Sequence, residues 1–425
     1  MQTEQLYQLY LKHPFVQTDT RKLKPGELFF ALKGGNFNGN LFAQQALEKG
    51  AAAIVVDEET GLDTPLIFRV NNVLETLQQL AKHHRLQLKI PVLAVTGSNG
   101  KTTTKELIHA VLSCRYKTST TEGNLNNHIG IPLTLLKIPT DAEIAVIEMG
   151  ANHQNEIAAY CTYTLPTHGL INNVGKAHLE GFGGLEGVKK GKGELYDFIR
   201  QSNGTIFLNT DFDYLLEMSK GIHNVFSYGT NDADVTGRIT ANDPFLKVEI
   251  TSMNLPATIN THLVGHYNLP NVLAAVAVGI YFKVPFRNIQ EAIEKYNPSN
   301  SRSQMIEKDG HHIILDAYNA NPSSMKAAIE NFAKIQGNNK VLILGAMAEL
   351  GDESMNEHQE LVNLIHNYKW KEVILVGGDF LKLKTPYKVL ENTSIARDWF
   401  QKFLPLSSYV LVKGSRSMKM ETILQ

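Results

Sequence analysis

The chain has 425 residues, with 41 Lys and Arg against 42 Asp and Glu and only two cysteines. A formal net charge of −1 excludes the broad positive field that binds nucleic acid or anionic lipid non-specifically, so an anionic ligand needs a local site. Two cysteines exclude a disulfide framework, and the start Met1-Gln2-Thr3-Glu4 lacks a secretion signal. The longest apolar run, 272–282, is shorter than the roughly 20 residues that span a bilayer. We therefore expect a cytoplasmic protein without membrane insertion.

The first part of the chain alternates strand-like and helix-like patterns, at 28–32, 43–49 and 52–56. A polar, basic stretch at 82–85 precedes the apolar run 90–95. We therefore predict a small N-terminal α/β domain over residues 1–85.

A phosphate-binding loop follows the apolar run. Residues 96–103 read Thr-Gly-Ser-Asn-Gly-Lys-Thr-Thr, between that strand-like run and a helix-like stretch. Backbone N–H groups and the helix dipole at such a junction face phosphate groups. Lys101 would contact the β- and γ-phosphates, and Thr102 would offer its hydroxyl to Mg²⁺. The predicted ATP-binding residues here are Gly97, Ser98, Asn99, Gly100, Lys101, Thr102 and Thr103.

Further strand-like runs at 144–147, 169–172 and 205–208 predict a mostly parallel sheet around this loop. The segment 296–301 is rich in turn-forming residues and follows a helix-like stretch. We therefore predict a central, P-loop ATPase-like domain over residues 86–296.

The last part of the chain contains four more strand-like runs, at 313–315, 341–344, 373–376 and 409–412. Three of them run into glycine, and the carboxyl ends of parallel strands form the ligand crevice of an open sheet. We predict a C-terminal Rossmann-like domain over residues 297–425, and an α/β protein of three domains overall.

Several segments that carry polar chemistry resemble a known family. They are residues 96–102, 148–153, where the sequence is Glu-Met-Gly-Ala-Asn-His, and 173–182, where it is Asn-Val-Gly-Lys-Ala-His-Leu-Glu-Gly-Phe. On these segments, and on 124–134, 318–322 and 413–417, the chain resembles the Mur ligases of peptidoglycan synthesis. The resemblance implies that ATP phosphorylates a carboxylate and that an amine then attacks the acyl phosphate. Its last three segments imply D-alanyl-D-alanine and UDP-N-acetylmuramoyl-tripeptide as substrates.

The resemblance implies two magnesium ions and a set of catalytic side chains. Glu148 and His178 come just after apolar strands and would serve the second ion, although the residues alone fit a helix-terminal charge and a loop histidine equally well. Lys192 resembles a family lysine that CO₂ carbamylates, which requires a neutral amine. The predicted metal-site residues are Thr102, Glu148, His178 and Lys192, and the predicted catalytic residues are Lys101, Glu148, His178 and Lys192.

More distant residues are expected to complete the ATP site. By resemblance, Asn268 and Asn271 would read the adenine edge, because amides donate and accept hydrogen bonds together. Arg302, Asp316 and Tyr318 would reach ATP from the C-terminal domain.

The resemblance also assigns the two amide-forming substrates to the ends of the chain. Thr20 and Arg21 would bind the uridine-diphosphate group. Arg416 would hold the carboxylate of the dipeptide, since arginine binds carboxylates with two parallel hydrogen bonds. The other predicted substrate-binding residues are Asn126, Asn127, Asn319, Asn321, Lys413 and Ser415.

Three other functions fit parts of the same sequence. A sister Mur ligase or a folylpolyglutamate synthase would add a single amino acid, and a non-catalytic ATP-binding module would change partner affinity without turnover. We expect a monomer that binds no nucleic acid.

Overall fold

The computed structural model describes residues 2–252, 257–299 and 301–425, so Asn300, within the predicted boundary segment 296–301, lies outside the described residues. The chain divides into two compact units. Unit 1 contains Met1–Ala94, Tyr116–Ala151 and Asn155–Gly169, and unit 2 contains Val95–Arg115, Asn152–Gln154 and Leu170–Gln425.

The N-terminal part of unit 1 is a small parallel sheet with helices. Its elements are α1 (Gln2–Lys12), β1 (Val16–Gln17), β2 (Leu28–Phe30), β3 (Lys33–Gly34), β4 (Phe37–Asn38), α2 (Ala43–Glu48), β5 (Ala53–Val56), β6 (Ile67–Arg69) and α3 (Val73–Gln87). The sheet order is β1-β2-β5-β6, and all three pairings are parallel. Every residue of β2 and β5 is buried, as expected for central strands covered on both faces.

The basic stretch at residues 82–85 is part of a helix. It forms the last turns of α3, where His84 and Arg85 are buried. The guanidinium of Arg85 donates to the carbonyls of Thr164 (2.9 Å) and Leu165 (3.1 Å) at the end of a neighbouring helix. These basic residues therefore join parts of unit 1 and do not form an exposed linker.

The middle of the chain alternates strands and helices before an antiparallel extension. Its elements are β7 (Val92–Thr96), α4 (Lys101–Leu112), β8 (Thr118–Thr120), α5 (Gly130–Leu136), β9 (Ile144–Glu148), α6 (Glu156–Thr164), β10 (His168–Ile171), α7 (Leu179–Phe182), α8 (Leu185–Gln201), β11 (Thr205–Asn209), α9 (Asp213–Met218), β12 (Asn224–Gly229), β13 (Val235–Asn242), β14 (Phe245–Ile250), β15 (Ala257–Val264), α10 (Leu269–Tyr281) and α11 (Phe286–Lys295).

The largest sheet has nine strands, in the order β15-β14-β13-β12-β11-β10-β7-β9-β8. β8 pairs with β9, β11 with β12 and β12 with β13 in parallel, whereas β14 pairs antiparallel with both β13 and β15. The predicted mostly parallel sheet is confirmed. The antiparallel extension was not predicted, because its strands alternate buried and exposed residues and carry no continuous apolar run.

The C-terminal part of unit 2 is a second α/β sheet. Its elements are β16 (Gln304–Lys308), β17 (His311–Asp316), α12 (Pro322–Lys334), β18 (Lys340–Gly345), α13 (Ser354–His366), β19 (Glu372–Val376), β20 (Lys388–Leu390), α14 (Thr393–Phe403) and β21 (Tyr409–Lys413).

This sheet has the order β16-β17-β21-β18-β19-β20, with only β16 antiparallel to its neighbour. Asp316 pairs with Lys413 in register, and Lys413 pairs with Leu344. The carboxyl ends of three parallel strands therefore lie at one edge, where open α/β sheets bind ligands. Among the described helices, none is long and apolar enough to cross a bilayer.

Candidate active site

The phosphate-binding loop connects β7 to α4 through two glycines with positive φ. Gly97 has φ 144° and Gly100 has φ 82°. A Cβ atom at Gly97 would lie 2.9 Å from Cβ of Asn172, and one at Gly100 would lie 2.6 Å from Oδ1 of Asn271. Both conformation and space therefore require glycine at these two positions.

The cationic and hydroxyl groups of the loop lie at the start of α4. Nζ of Lys101 donates to the carbonyls of Gly97 (2.7 Å) and Ser98 (3.3 Å), so the ammonium lies over the loop. Thr102 is buried in the first turn, and Thr103 is half-buried beside it. The first N–H groups of a 12-residue helix and an ammonium at one turn form a site suited to a polyphosphate.

The segment after β10 holds the loop from one side. The backbone N–H of Asn99 donates to Oδ1 of Asn173 (2.9 Å), and Nδ2 of Asn173 donates back to the carbonyl of Asn99 (3.1 Å). Oγ of Ser98 accepts from the N–H of Gly175 (2.9 Å) and donates to its carbonyl (3.0 Å). Asn173 was missed as a site residue, although it begins the segment 173–182 on which the family resemblance rests.

The C-terminal sheet domain contacts the same segment within unit 2. Nδ2 of Asn321 donates to Oδ1 of Asn99 (2.8 Å), so a residue predicted to bind substrate contacts the phosphate loop. Nζ of Lys176 lies 2.5 Å from a carboxylate oxygen of the buried Glu357. These contacts place the start of α12 and the end of β10 around one loop.

His178 is the N-cap residue that precedes α7, and its backbone lies in the left-handed region, with φ 53°. Its Nδ1 lies 2.5 Å from Oε2 of Glu349, and hydrogen bonding to His178 lowers the pKa of that carboxyl group. A histidine whose Nδ1 faces a carboxylate presents Nε2 as the nitrogen available to another ligand.

Lys192 lies in the middle of α8 and is buried. Its exposure is 1%, and its Nζ lies 5.0 Å from the centre of the Phe182 ring. The aromatic face favours a cationic amine at this position. Nothing in this contact tests carbamylation, which stays a prediction.

The donor set of unit 2 fits a magnesium ion bound mainly to phosphate. Among residues 2–252, 257–299 and 301–425, no group of three His, Cys, Asp or Glu side chains forms a metal site. Mg²⁺ commonly uses few protein ligands and completes its coordination with phosphate oxygens and water. A hydroxyl at Thr102 and an imidazole at His178 are compatible with that arrangement, whereas a metal site built from the protein alone is not supported.

The two asparagines expected to read adenine are buried below the loop. Asn268 and Asn271 are 4% and 5% exposed. Nδ2 of Asn271 donates to Oδ1 of Asn268 (2.8 Å), whose own Nδ2 donates to the carbonyl of Val264 (2.9 Å). The structure thus uses these amides in internal hydrogen bonds, and their contact with adenine stays a prediction.

A charged cluster occupies the strand ends of the C-terminal sheet. Nζ of Lys413 lies 2.5 Å from Oδ2 of Asp316, and the Lys413 side chain is only 3% exposed. The guanidinium of Arg302 lies 3.6 Å from the centre of the Tyr318 ring, and that of Arg416 lies 5.7 Å from it. The predicted residues of this edge are therefore brought together.

Asn319 and Ser415 complete the cluster. Oδ1 of Asn319 accepts from the backbone N–H of Arg416 (3.4 Å), and Oγ of the buried Ser415 donates to the carbonyl of Ala346 (2.7 Å). The Arg416 side chain is 62% exposed and its Nη1 lies 2.9 Å from Oε1 of Glu421. Arg416 thus contacts a carboxylate of the chain itself, and its binding of the dipeptide carboxylate stays a prediction.

Unit 1 contains the other predicted residues. Glu148 ends β9 and is 1% exposed, and its Oε1 accepts from Nδ2 of Asn126 (2.7 Å). Oδ1 of Asn127 accepts from the N–H groups of Ile129 (3.2 Å) and Gly130 (2.9 Å) at the start of α5. Asn126 and Glu148 are therefore neighbours, whereas the side-chain oxygen of Asn127 supports the start of α5.

Thr20 and Arg21 also make local contacts in unit 1. Oγ1 of the buried Thr20 donates to Oε1 of Gln45 (2.6 Å). The Arg21 side chain is 86% exposed and forms three hydrogen bonds to Asp19, which lower the pKa of that carboxyl group to about 2. Arg21 is accessible to an anionic ligand.

Three family segments match this chain. The Mur ligase family catalytic domain matches residues 13–91, the Mur ligase middle domain matches 95–279, and the Mur ligase glutamate ligase domain matches 301–415. A protein of Bacillus subtilis (strain 168) named UDP-N-acetylmuramoyl-tripeptide--D-alanyl-D-alanine ligase is 35% identical, over 96% of this chain and 92% of the relative.

Solved structures are similar over the same length. The crystal structure of MurF from Acinetobacter baumannii has a TM-score of 0.89 and 32% identity, covering 100% of this chain and 97% of the other. The structure of MurF ligase from Thermotoga maritima in complex with ADP has a TM-score of 0.86 and 27% identity, covering 97% of each chain. The predicted three-domain α/β fold is confirmed by these matches. The chain belongs to the Mur ligase family.

Proposed function

We propose that this chain is an ATP-dependent ligase that joins D-alanyl-D-alanine to UDP-N-acetylmuramoyl-tripeptide, giving UDP-N-acetylmuramoyl-pentapeptide, ADP and phosphate. The observation that carries this proposal is the match, over 96% of the chain, to a relative named for this reaction. The glycine loop before α4 supplies the matching chemistry, because its N–H groups and Lys101 form a polyphosphate site.

In the first step, an oxygen of the tripeptide's terminal carboxylate forms a bond to the γ-phosphorus of ATP, and the bond to the β-phosphate oxygen breaks. ADP leaves and an acyl phosphate remains. The ammonium of Lys101 and the N–H groups at the start of α4 stabilise the negative charge on the transferred group. Asn173 maintains the loop shape that presents those groups.

In the second step, the amine nitrogen of D-alanyl-D-alanine forms the amide bond to the acyl carbon. The carbon–oxygen bond breaks, and the leaving phosphate takes up the proton that the amine nitrogen loses. Arg416 would hold the dipeptide carboxylate, exchanging the Glu421 carboxylate for that of the substrate. Lys413, Ser415, Asn319 and Asn321 are the other residues that we propose for this substrate site, and Thr20 and Arg21 would bind the UDP group.

Magnesium would neutralise phosphate charge during transfer, with the Thr102 hydroxyl and His178 imidazole as proposed ligands of two ions. Glu148 and a carbamylated Lys192 are the other proposed metal-site residues.

If Lys192 carries this role, Lys192→Ala loses most turnover, and intact-mass analysis at high bicarbonate finds the CO₂ adduct only on the unsubstituted protein. Full activity of Lys192→Ala would exclude the role.

The assay measures pentapeptide by mass spectrometry and ADP by a coupled reaction. We expect one ADP for each pentapeptide, with both products absent when either peptide substrate is omitted. Diaminopimelate- and lysine-containing tripeptides are compared in parallel. Product from a lone amino acid would instead identify a single-residue ligase, and nucleotide binding without ADP release would identify a non-catalytic module.

We also propose a monomer that acts in the cytoplasm. Sedimentation equilibrium at assay concentration tests the first statement, and cell fractionation tests the second.

A further inference from the structure

A short turn just before β16 carries Arg302, and its backbone is strained. Ser301 and Ser303, on either side of Arg302, have φ 56° and φ 48°. Residues with a side chain pay free energy to adopt this left-handed conformation, so they persist in it only where the surrounding structure holds them. The contacts of this turn therefore determine where Arg302 points.

Some contacts of the turn come from the segment at the end of β17. The backbone N–H of Tyr318 donates to the carbonyl of Ser301 (3.2 Å), and the Arg302 guanidinium lies 3.6 Å from the centre of the Tyr318 ring. The backbone N–H of Ser303 donates to Oδ1 of Asp316 (3.0 Å). Residues 316–318 thus hold the backbone on both sides of Arg302.

A further contact of the turn comes from the residues just before α10. The hydroxyl of Tyr267 shares a hydrogen bond with Oγ of Ser303 (2.9 Å), and Ser303 is 8% exposed. A Cβ atom at Gly265, whose φ is 101°, would overlap the Tyr267 ring, so glycine at this position provides the space for that ring. Desolvation raises the pKa of Tyr267, and the Asp316 carboxylate raises it further, so the hydroxyl keeps its proton at neutral pH.

These contacts form one continuous series of hydrogen bonds within unit 2. It runs from Tyr267 to Ser303, from Ser303 to Oδ1 of Asp316, and from Oδ2 of Asp316 to Nζ of Lys413. The series joins the start of α10 to the ends of β17 and β21. Removing the Tyr267 hydroxyl would leave Oγ of Ser303 without this partner and would free the turn on one side.

Arg302 has hydrogen-bonding capacity that the protein does not use. Its Nε is buried and has no hydrogen-bond partner among the described residues. An aromatic face such as that of Tyr318 stabilises the cation but leaves the N–H groups in the guanidinium plane available to an oxyanion. A buried donor without a partner costs free energy, which an anionic ligand would recover. The direction of Arg302 therefore affects how well such a ligand binds.

We propose that Tyr267 and Ser303 are positioning residues for Arg302. Their shared hydrogen bond fixes the strained turn, so that the guanidinium is already directed when Mg·ATP binds. This inference rests on the proposed use of ATP. The role is exerted through Arg302, and it is separate from the adenine recognition predicted for Asn268 and Asn271.

The test measures the Kd of Mg·ATP by calorimetry for single and double substitutions. Tyr267→Phe and Ser303→Ala each remove one hydroxyl of the shared hydrogen bond. We expect each to weaken Mg·ATP by about tenfold, corresponding to one lost buried hydrogen bond. The double substitution should weaken it by the same factor and no more, because both hydroxyls act in one bond.

A second pair of proteins tests whether the effect passes through Arg302. Adding Tyr267→Phe to Arg302→Met should leave the Kd of Mg·ATP unchanged, since the side chain that the turn directs is already missing. A general structural defect would not depend on Arg302 in this way. Tyr387→Phe is the matched control, because it removes a tyrosine hydroxyl 2.9 Å from Nδ1 of His366, and it should bind Mg·ATP normally.

Two outcomes would overturn the proposal. If Tyr267→Phe and Ser303→Ala bind Mg·ATP like the unsubstituted protein, their hydrogen bond does not position Arg302. If Tyr267→Phe weakens Mg·ATP equally with and without Arg302, Tyr267 acts by another route. Ser303→Ala decides the first question by itself if Tyr267→Phe fails to fold. An unsubstituted protein that binds no Mg·ATP would instead refute the proposed function.

Discussion

Two regions of unit 2, the phosphate loop and the strand ends of the C-terminal sheet, are built differently. Under the phosphate loop, neutral amides and hydroxyls such as Asn271 and Thr104 are buried and bonded to one another. At the C-terminal strand ends, Lys413 forms an ion pair with Asp316, and the largely exposed Arg416 forms one with Glu421. Neutral, directional bonds fix a shape, whereas exposed charges can exchange partners. The loop is therefore pre-shaped, and the charged cluster is suited to taking a substrate carboxylate.

The largest expected effect concerns the ammonium of Lys101, which lies over the phosphate loop. Lys101→Met removes the charge that we propose faces the transferred phosphoryl group, but leaves the buried hydrogen bonds of Thr104, Asn172 and Asn271 intact. We expect kcat to fall by about 10³-fold, because fixed charge at the transition state cannot be replaced by water. The measurement is steady-state ADP release.

Lys190→Met provides the matched control for that substitution. Lys190 is an exposed residue of α8, and its replacement should leave kcat unchanged. A Lys101→Met enzyme with kcat within tenfold of the unsubstituted one would mean that the loop amides alone carry the phosphoryl charge.

The second prediction breaks the charged side. Asp316→Asn removes the partner of the nearly inaccessible Lys413 and leaves a buried ammonium unpaired. We expect the free energy of unfolding of the C-terminal sheet to fall by about 3–5 kcal/mol. Both tryptophans, Trp370 and Trp399, lie in this part of the chain, so urea unfolding followed by tryptophan fluorescence reports on it.

A double substitution distinguishes the lost pair from lost packing. Asp316→Asn combined with Lys413→Met removes the charge as well as its partner and should recover part of the stability. Equal urea midpoints for Asp316→Asn and the unsubstituted protein would show that water reaches Lys413.

Local patterns in the sequence predicted the parts of the site that one segment can encode. The strand, glycine turn and helix at 92–112 have a continuous apolar run and two glycines, and they occur as predicted. The strands that end near Gly345 and Gly414 were also predicted, because buried parallel strands are apolar throughout.

Other parts depend on contacts between distant residues. Asn99 and Asn321 are separated by 222 positions, and Asn172 and Asn271 by 99. A single Thr or Asn has no distinctive pattern, so Thr104 and Asn172 could not be recognised before the elements were placed together. The role of Glu349 beside His178 was hidden for the same reason.

The smallest expected effect concerns acid sensitivity at the start of β10, in unit 1, on the strand that leads towards Asn172. His168 begins β10, the strand that leads to Asn172, and desolvation lowers its pKa to about 4. Between pH 6.5 and 4 the unfolded chain binds more protons at this position than the folded chain does, so stability falls as the pH falls. We expect the free energy of unfolding of His168→Gln to fall by about 1–3 kcal/mol less than that of the unsubstituted protein as the pH is lowered. The melting temperature of the unsubstituted protein, measured by calorimetry, should therefore drop more between pH 7.5 and 5 than that of His168→Gln.

His223→Gln, at an exposed histidine, is the control and should follow the unsubstituted protein. If the melting temperatures of all three proteins fall in parallel with pH, His168 takes up its proton without unfolding of the chain. The neutral, desolvated environment of the phosphate loop would then not extend along β10 to His168.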